Sequence, residues 1–404
     1  MVPRILFAWE LGANFGHATK ITQVAAALRG RADVWVAARD PQAIRAMAPG
    51  ADIHLLPAPY GPTRRLTKGE AGGANYSGLL LTEGWDAPEG LAARVEAWRG
   101  LVDLLRPAAI VAQAAPTAML AGLGQGIPRV VLGSGYDNPP VADPMPAFDR
   151  GTPEAERLAA AQHAQVLEVV NAARARLGEP ALPRLSEVFR PDLSLLMTWE
   201  LADHYAPRGE IEAEPARYLG ALATTGTGQA AAWRGNGRPR IFAYLRPGSP
   251  SAGAGFGALD HLGPESDIIL SAPGIPPGDA KRLRARSVQV FDAPVRLDPL
   301  LESCDLGVSH GSNGLSSLML SHGIPQVGLP GHVEQMLFTR TLARSRLGLG
   351  LGGRYGAEEV VALIRRCLGD EAMRQRVAEA AQGLRDPGAL DPAETAAESL
   401  LALL

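Results

Sequence analysis

Polar and small residues follow a predicted buried strand in the second half of the chain, where a helix begins. The strand, Asp305-Leu306-Gly307-Val308-Ser309, runs into His310-Gly311-Ser312-Asn313-Gly314, and a helix is predicted over 315–322. Small residues at a helix start leave backbone N–H groups and the positive end of the helix dipole open to an anion. The pattern therefore predicts a diphosphate site formed by His310, Gly311, Ser312, Asn313 and Gly314.

The next predicted strand also ends in polar residues. It spans Ile324 to Leu329 and exits through Pro330 toward Glu334-Gln335, at the start of another helix. Carboxyl ends of neighbouring parallel strands meet at one edge of a sheet, so these residues are expected near the first loop. A carboxylate and an amide can both hydrogen-bond to hydroxyl groups. Glu334 and Gln335 are therefore predicted to contact hydroxyls of the same ligand.

Together these residues resemble a motif of the GT-B glycosyltransferases that use nucleotide-diphosphate sugars, of the UDP-glycosyltransferase and MurG-like type. That motif reads His-Gly-Gly-x-Gly-Thr, then Glu, Gly-x-Pro, and Pro followed by Asp/Glu-Gln. The matches here are His310, Gly323-Ile324-Pro325, Pro330 and Glu334-Gln335. The departures are Ser312 for Gly, Leu315 for Thr or Ser, and Leu318 for the Glu that usually holds the ribose. The resemblance implies that the 310–314 loop holds the donor diphosphate and that Glu334 and Gln335 hold the donor sugar.

The N-terminal end shows strand, glycine-containing loop, helix and strand in succession. Arg4 to Trp9 is the first predicted strand, Glu10 to His17 the loop, and Val34 to Ala38 the second strand. This order is typical of a Rossmann-like sheet, whose ligand crevice lies at the carboxyl ends of the strands. The loop lacks the three-glycine dinucleotide pattern, so no bound NAD is predicted.

A Gly-His pair in this loop supplies the general base in the resembled family, and Gly16-His17 matches its position. A neutral imidazole near pH 7 can take the proton of an attacking hydroxyl. The family places an Asp after a later strand to orient that base, whereas this chain has Gln113 after the predicted strand Ala108 to Ala112. Gln can hydrogen-bond an imidazole but carries no charge. Glu10, in the same loop as His17, is the predicted substitute carboxylate.

The division of the chain follows from its length and from a shift in composition. A chain of 404 residues suggests two domains, and Gly, Thr and Asn concentrate around 224–237. We predict an α/β protein, and the resemblance implies the GT-B arrangement of two Rossmann-like β/α/β domains facing an inter-domain cleft. The predicted parts are an acceptor-binding domain over 1–225, a linker over 226–238 and a nucleotide-sugar-binding domain over 239–385. A C-terminal helix over 386–404 is expected to cross back to the first domain.

Two further strand exits in the second half are predicted to face the donor. Arg246 follows the strand Arg240 to Leu245, where a fixed positive charge suits a phosphate. Pro294 and Val295 follow the strand Val288 to Asp292 and are similar to the family segment whose backbone frames the nucleotide base. No Trp follows there to stack on a base, so the base identity stays open.

Composition excludes several classes of protein. The net charge of −3 argues against a general nucleic-acid binder. Two cysteines, Cys304 and Cys367, make neither a disulfide framework nor a metal cluster. The sequence shows no signal-peptide pattern and no long apolar run, so no transmembrane segment and a cytoplasmic location are expected. No metal, cofactor or nucleic-acid partner is predicted, and the oligomeric state stays open.

The glycine-rich stretch 61–86 is predicted to be a loop. Its length suggests a role, and the resemblance implies an acceptor-side lid containing Arg64, Arg65, Lys68 and Tyr76.

The function implied by the resemblance is inverting, metal-independent transfer of a sugar from a nucleotide-diphosphate donor to a hydroxyl of a small-molecule or lipid acceptor. No Asp-x-Asp sequence occurs, which agrees with a metal-free mechanism. Two alternatives remain open. One is a nucleotide-sugar epimerase with the same architecture. The other is a sugar-nucleotide-binding accessory protein that has lost turnover, which the departures at Gln113, Leu315 and Leu318 make plausible.

Overall fold

The structure is a computed structural model that describes residues 2–12, 15–67, 72–211, 216–222, 228–384 and 391–404. Lys68 of the predicted lid, linker residues 226–227 and residues 386–390 of the predicted C-terminal helix lie outside this description. The chain divides into two units. The first contains the described residues of Met1–Met197, Tyr205–Leu219 and Leu390–Leu404, and the second those of Thr198–His204 and Gly220–Ala389.

The first unit is built on a parallel sheet that has seven strands within the described residues. The strands are β1 (Arg4–Trp9), β2 (Asp33–Ala38), β3 (His54–Pro57), β4 (Ala109–Ala112), β5 (Arg129–Gly133), β6 (Leu193–Leu196) and β7 (Arg217–Tyr218). Their order across the sheet is β3-β2-β1-β4-β5-β6-β7. The central strands are continuous apolar runs because helices cover both faces of a parallel sheet.

Most of the helices described in this unit begin at a proline or after a capping side chain. They are α1 (Phe15–Ala27), α2 (Pro41–Met47), α3 (Tyr76–Leu80), α4 (Pro88–Leu105), α5 (Pro116–Gly122), α6 (Pro153–Arg176) and α7 (Ser186–Phe189). The carboxylate of Asp40 caps α2 by accepting a hydrogen bond from Ala43 N at 3.0 Å. Pro at the first turn costs no hydrogen bond there, so α4, α5 and α6 start at Pro88, Pro116 and Pro153.

The stretch 72–86 is part of the core of the first unit, unlike the covering loop that the sequence suggested. Leu80 and Trp85 are fully buried. The side chain of Asn75 caps α3 by accepting from Gly78 N at 2.9 Å, and its amide donates to the carbonyls of Met145 and Ala159. Apolar residues within the glycine-rich sequence account for this packing.

The second unit contains a parallel sheet with six strands among the residues described. They are β8 (Arg240–Tyr244), β9 (Asp267–Ser271), β10 (Gln289–Phe291), β11 (Leu306–Ser309), β12 (Gln326–Gly328) and β13 (Gly348–Gly350), in the order β10-β9-β8-β11-β12-β13. The helices are α8 (Ala252–Leu262), α9 (Pro277–Ala285), α10 (Asp298–Leu301), α11 (Asn313–Ser321), α12 (Val333–Arg344), α13 (Ala357–Gly369) and α14 (Glu371–Leu384).

The observed boundary between the two units differs from the predicted domain boundary at two places. It falls between Leu219 and Gly220 rather than after residue 225, and it assigns Thr198–His204 to the second unit. Ala202 packs in the core of that unit, with Trp199 and Leu201 against it. The last helix, α15 (Pro392–Leu403), belongs to the first unit and packs on α1, where Arg31 pairs with Glu394 at 2.7 Å.

No helix among the described residues combines the length and the apolar character needed to cross a membrane.

Candidate functional site

The strand order of each sheet reverses at one point, and polar residues gather there. In the first sheet the reversal lies between β1 and β4, and in the second between β8 and β11. The crevice outside the carboxyl ends of the strands at such a reversal is the usual ligand site of open α/β sheets. His17 and Gln113 follow β1 and β4, whereas Arg246 and His310 follow β8 and β11. The predicted residues thus occupy the reversal point of each sheet.

In the first unit, three side chains from successive positions across the sheet form a hydrogen-bonded relay. His17 Nδ1 lies 2.6 Å from Gln113 Oε1, and Gln113 Nε2 donates to Asp137 Oδ2 at 3.1 Å. Asp137 follows β5, the neighbour of β4. Because a carboxylate only accepts, the Gln113 amide must turn its NH2 toward Asp137 and its oxygen toward His17. His17 therefore carries its proton on Nδ1 and keeps the Nε2 lone pair.

Charge and burial shift the pKa values within this relay. Burial lowers the pKa of His17, so the ring is neutral at neutral pH. Burial alone would raise the pKa of Asp137, but Lys20, whose Nζ lies 3.1 Å from Asp137 Oδ2, is the largest of the effects that hold it below its ordinary value. Ser134 also donates to the same oxygen, from its backbone N at 3.2 Å and its hydroxyl at 3.1 Å. The relay thus ends in an ionised carboxylate.

Two neighbours fix the His17 ring from its other sides. The Trp9 ring stacks on it with centroids 5.4 Å apart. Gly12 has φ of +77°, and a Cβ added there would lie 2.3 Å from His17 Nε2. Only glycine fits at this position beside that nitrogen.

Glu10 has different hydrogen-bond partners from those predicted. Its buried carboxylate accepts from the backbone N–H groups of Thr117 at 3.2 Å and Ala118 at 2.6 Å, at the start of α5. Burial raises the pKa of Glu10 to about 7, against the lowering effect of these bonds. The carboxylate that the relay connects to His17 is that of Asp137, through Gln113.

In the second unit, both ring nitrogens of His310 have protein partners. Its Nε2 accepts from the backbone N–H of Arg246 at 2.8 Å, and its Nδ1 lies 3.2 Å from the carbonyl oxygen of Leu329. Burial is the main cause of the lowered pKa of His310. The imidazole therefore ties the exits of β8, β11 and β12 together, so His310 shapes the predicted phosphate site through the backbone.

The segment from Gly311 to Gly314 leads into the first turn of α11. Gly311 has φ of +76°, and a Cβ there would lie 2.4 Å from Thr339 Oγ1. Ser312 is the residue before the helix, with an extended backbone (φ −70°, ψ 137°). Asn313 Nδ2 donates to Thr198 Oγ1 at 2.9 Å, and Gly314 is exposed. The start of α11 thus has the geometry in which backbone N–H groups receive an anion.

Basic groups stand at the same edge of the second sheet. Burial lowers the pKa of His332, and the nearby His310 and Arg246 lower it further. His332 is the residue before α12, which follows β12. Since β12 is the neighbour of β11, His332 lies at the same edge of the sheet as the start of α11. Arg246 provides positive charge where the loop provides amides, and the neutral His332 can donate a ring N–H.

The predicted sugar-binding residues lie in the first turn of α12, and both are half-buried. Gln335 Oε1 accepts from Gly331 N at 2.8 Å, which leaves its NH2 to donate to a ligand.

Pro294 and Val295 pair with the linker. The Pro294 carbonyl accepts from Gln229 N at 2.9 Å, Val295 forms a bridge with Gln229, and Arg296 N donates to the Gln229 carbonyl at 3.0 Å. Part of the backbone predicted to frame a base is therefore already hydrogen-bonded within the protein.

Comparisons with known proteins show which solved structures share this fold. The sequence matches no protein-family model and no curated protein significantly. Solved structures resemble it over its whole length. The calicheamicin glycosyltransferase CalG4 has a TM-score of 0.73 at 16% identity, with 99% of this chain and 98% of that chain covered. The kitacinnamycin glycotransferase has a TM-score of 0.71 at 16% identity, and the spinosyn rhamnosyltransferase SpnG 0.67 at 19%, each with both chains fully covered.

The fold is GT-B.

This confirms the fold that the resemblance implied. SpnG has also been solved with thymidine diphosphate and with the spinosyn aglycone, at TM-scores of 0.64 and 0.65.

Asp137, Lys20 and His332 were not predicted from the sequence. Asp137 lies in Ser134-Gly135-Tyr136-Asp137, after β5, and a search of every strand exit near the reversal point would have found it. His332 stands just before the predicted helix that begins near Glu334 and could have been found in the same way. Among the described residues, no three His, Cys, Asp or Glu side chains are grouped so that they could hold a metal ion.

Proposed function

We propose that this chain is a glycosyltransferase that moves a sugar from a nucleotide-diphosphate donor to a hydroxyl group, with inversion and without a metal ion. The observation that carries the proposal is the hydrogen bond of 2.6 Å between His17 Nδ1 and Gln113 Oε1, which leaves the Nε2 lone pair available as a base. The fold, shared with structures of glycosyltransferases, provides the setting in which such a base would act.

The donor would bind to the second unit. Backbone N–H groups at the start of α11, with Arg246 and His332, would stabilise the charge that develops on the leaving nucleoside diphosphate. These groups would perform the task that a divalent cation performs in metal-dependent enzymes. Gln335 and Glu334 would bind the sugar hydroxyls. The SpnG complex with thymidine diphosphate supports a nucleoside diphosphate as the leaving group.

The acceptor would bind to the first unit. His17 Nε2 takes the proton of the acceptor hydroxyl while the oxygen attacks the anomeric carbon, and the bond from that carbon to the diphosphate oxygen breaks. A single displacement of this kind inverts the anomeric centre. A small pocket, partly open to solvent, adjoins Asp137 and is lined mostly by apolar residues, among them Met119, Val131 and Phe189. This lining supports an acceptor with an apolar part, such as a small aglycone or a lipid.

The test is a panel of thymidine and uridine diphosphate sugars incubated with hydroxylated aglycones, read by mass spectrometry of the products. His17→Ala should abolish transfer and leave the Kd for the donor nearly unchanged, because the donor groups are in the second unit. A chelator should leave the rate unaltered. Donor isomerised without any acceptor would instead indicate an epimerase, and donor binding without turnover on any acceptor would indicate an accessory protein. Full activity of His17→Ala would remove this histidine from the mechanism.

A further inference from the structure

We propose that Asp137 is a positioning residue for His17, acting through the Gln113 amide and held ionised by Lys20. The inference rests on the proposed function, in which His17 is the base. Asp137 has no hydrogen bond to His17 among those described. The Gln113 side chain lies between the two residues.

The direction of the hydrogen bonds determines which end of the Gln113 amide faces His17. An amide group has a donor end and an acceptor end, and nothing in Gln113 alone decides which end meets His17. Asp137 Oδ2, 3.1 Å from Gln113 Nε2, decides it because a carboxylate can only accept. The oxygen of Gln113 must then face His17 Nδ1 at 2.6 Å. The carboxylate thus sets the tautomer of a ring from which it is separated by a complete side chain.

The buried carboxylate of Asp137 stays ionised because several donors surround it. Asp137 is 8% exposed and Lys20 is 9% exposed, and a buried ion pair is stable only when the remaining hydrogen-bonding capacity is satisfied. Here one carboxylate oxygen receives Lys20 Nζ, Gln113 Nε2 and two donors of Ser134. A protonated Asp137 could offer its own proton to Gln113 and permit the opposite amide orientation. Lys20 therefore protects the tautomer of His17 by keeping Asp137 charged.

The charges around His17 give the proposal a distinctive signature. Asp137 raises the pKa of His17, whereas Lys20 on α1 and Arg39 after β2 lower it, and the neutral Gln113 raises it through its hydrogen bond. Removing Asp137 should lower the pKa of His17, and removing Lys20 should lower it too because Asp137 is then free to take up a proton, whereas removing Arg39 should raise it. General damage to the fold would not move the pKa in opposite directions in two variants.

The decisive experiment needs neither donor nor acceptor. Protein labelled with ¹⁵N in its histidines is titrated by NMR, and the His17 signals are assigned by their loss in His17→Gln. We expect the wild type to show Nδ1-protonated neutral His17. Asp137→Asn should give a mixture of tautomers and a lower pKa, Lys20→Met should change both in the same direction because Asp137 loses its cation, and Arg39→Met should give a higher pKa with the tautomer unchanged. Unchanged tautomer and pKa in Asp137→Asn would overturn the proposal, whatever the protein's activity proves to be.

A kinetic comparison extends the test once a donor and acceptor are known. Asp137→Asn should lower kcat by about 10- to 100-fold, because a base held in the wrong tautomer is lost for catalysis. The acidic limb of its kcat/KM profile should move to lower pH, since the neutral base forms at a lower pH. The pair Gln113→Glu with Asp137→Asn places a carboxylate oxygen where Gln113 Oε1 now contacts His17 and should recover much of the lost kcat. Failure of this double variant to exceed Asp137→Asn, with thermal melting unchanged, would contradict a positioning role.

Discussion

Two buried carboxyl groups at the edge of the first sheet show how strongly local environment decides charge. Asp137 faces Lys20 and several N–H and O–H donors, and its pKa is lowered. The carboxyl of Glu10 meets two backbone N–H groups, and burial raises its pKa to about 7. Residues whose pKa values are driven apart in this way often divide the tasks of a site between them. The ionised Asp137 suits a fixed orienting role, whereas Glu10 changes charge near neutral pH.

The charge change of Glu10 predicts a pH dependence of stability. Its pKa is higher in the folded state, about 7, than the ordinary value of 4.5, so its contribution is full below pH 4.5 and is lost as pH rises to about 7. The wild type should lose about 3 kcal/mol of its free energy of unfolding over that range, whereas Glu10→Gln, which cannot ionise, should not show this loss. The measurement is the free energy of unfolding of both proteins by urea from pH 4 to pH 8. Parallel curves for the two proteins would show that Glu10 is not perturbed.

Gly12 predicts a second effect at the scale of one residue. Gly12→Ala would place a Cβ 2.3 Å from His17 Nε2 at a φ of +77°, so the ring or the loop must move. We expect kcat for sugar transfer to fall by about 100-fold, because a small displacement of a catalytic group lowers the rate by about that factor. The matched control is Gly16→Ala in the same segment, where an added Cβ meets nothing within 4 Å. Equal rates for the two variants would show that the space beside Nε2 has no function.

Among the elements, the order of strands, loops and helices could be predicted, whereas contacts between distant loops could not. The run Leu306–Ser309 and the small residues after it predict β11 and the start of α11 because both signals are local. Asp137 reaches His17 only through Gln113, which is 96 residues from the histidine in sequence. Likewise, the bond between Gln229 and Pro294 joins a linker to a strand exit. Such pairings depend on the register of the finished fold, which no local pattern encodes.

The first turn of α11 predicts a test of the backbone diphosphate site. Ser312 has the extended backbone that suits a residue before proline, and Pro is favoured at the first position of a helix. Asn313→Pro should therefore fold normally while removing one N–H donor. Its affinity for thymidine or uridine diphosphate should fall about tenfold or more relative to Asn313→Ala, which removes only the side chain. Isothermal calorimetry makes the comparison, and matching Kd values for the two variants would mean that this amide does not bind the ligand.

For the whole molecule, the sequence predicted two α/β units but not how the chain passes between them. Thr198–His204 belongs to the second unit although the residues on both sides belong to the first. The apolar residues of this short segment pack in the second core, and such a small insertion leaves no signal in composition. The predicted return of the last helix rested on the resemblance, and α15 is grouped with the first unit.

The position of α15 predicts which unit depends on the C-terminal segment. Leu400 is fully buried in α15, which packs on α1, so Leu400→Ala should cost about 2–5 kcal/mol of stability. The loss should fall on the first unit, even though the preceding part of the chain, Gly220–Ala389, forms the second. Hydrogen exchange read by mass spectrometry should show faster exchange in peptides of β1, α1 and β2, with the β8–β13 peptides unchanged. Leu404→Ala, at a side chain that is 45% exposed, is the matched control and should leave both sets of peptides as in the wild type. Faster exchange confined to the second unit would show that α15 does not support the sheet that carries His17.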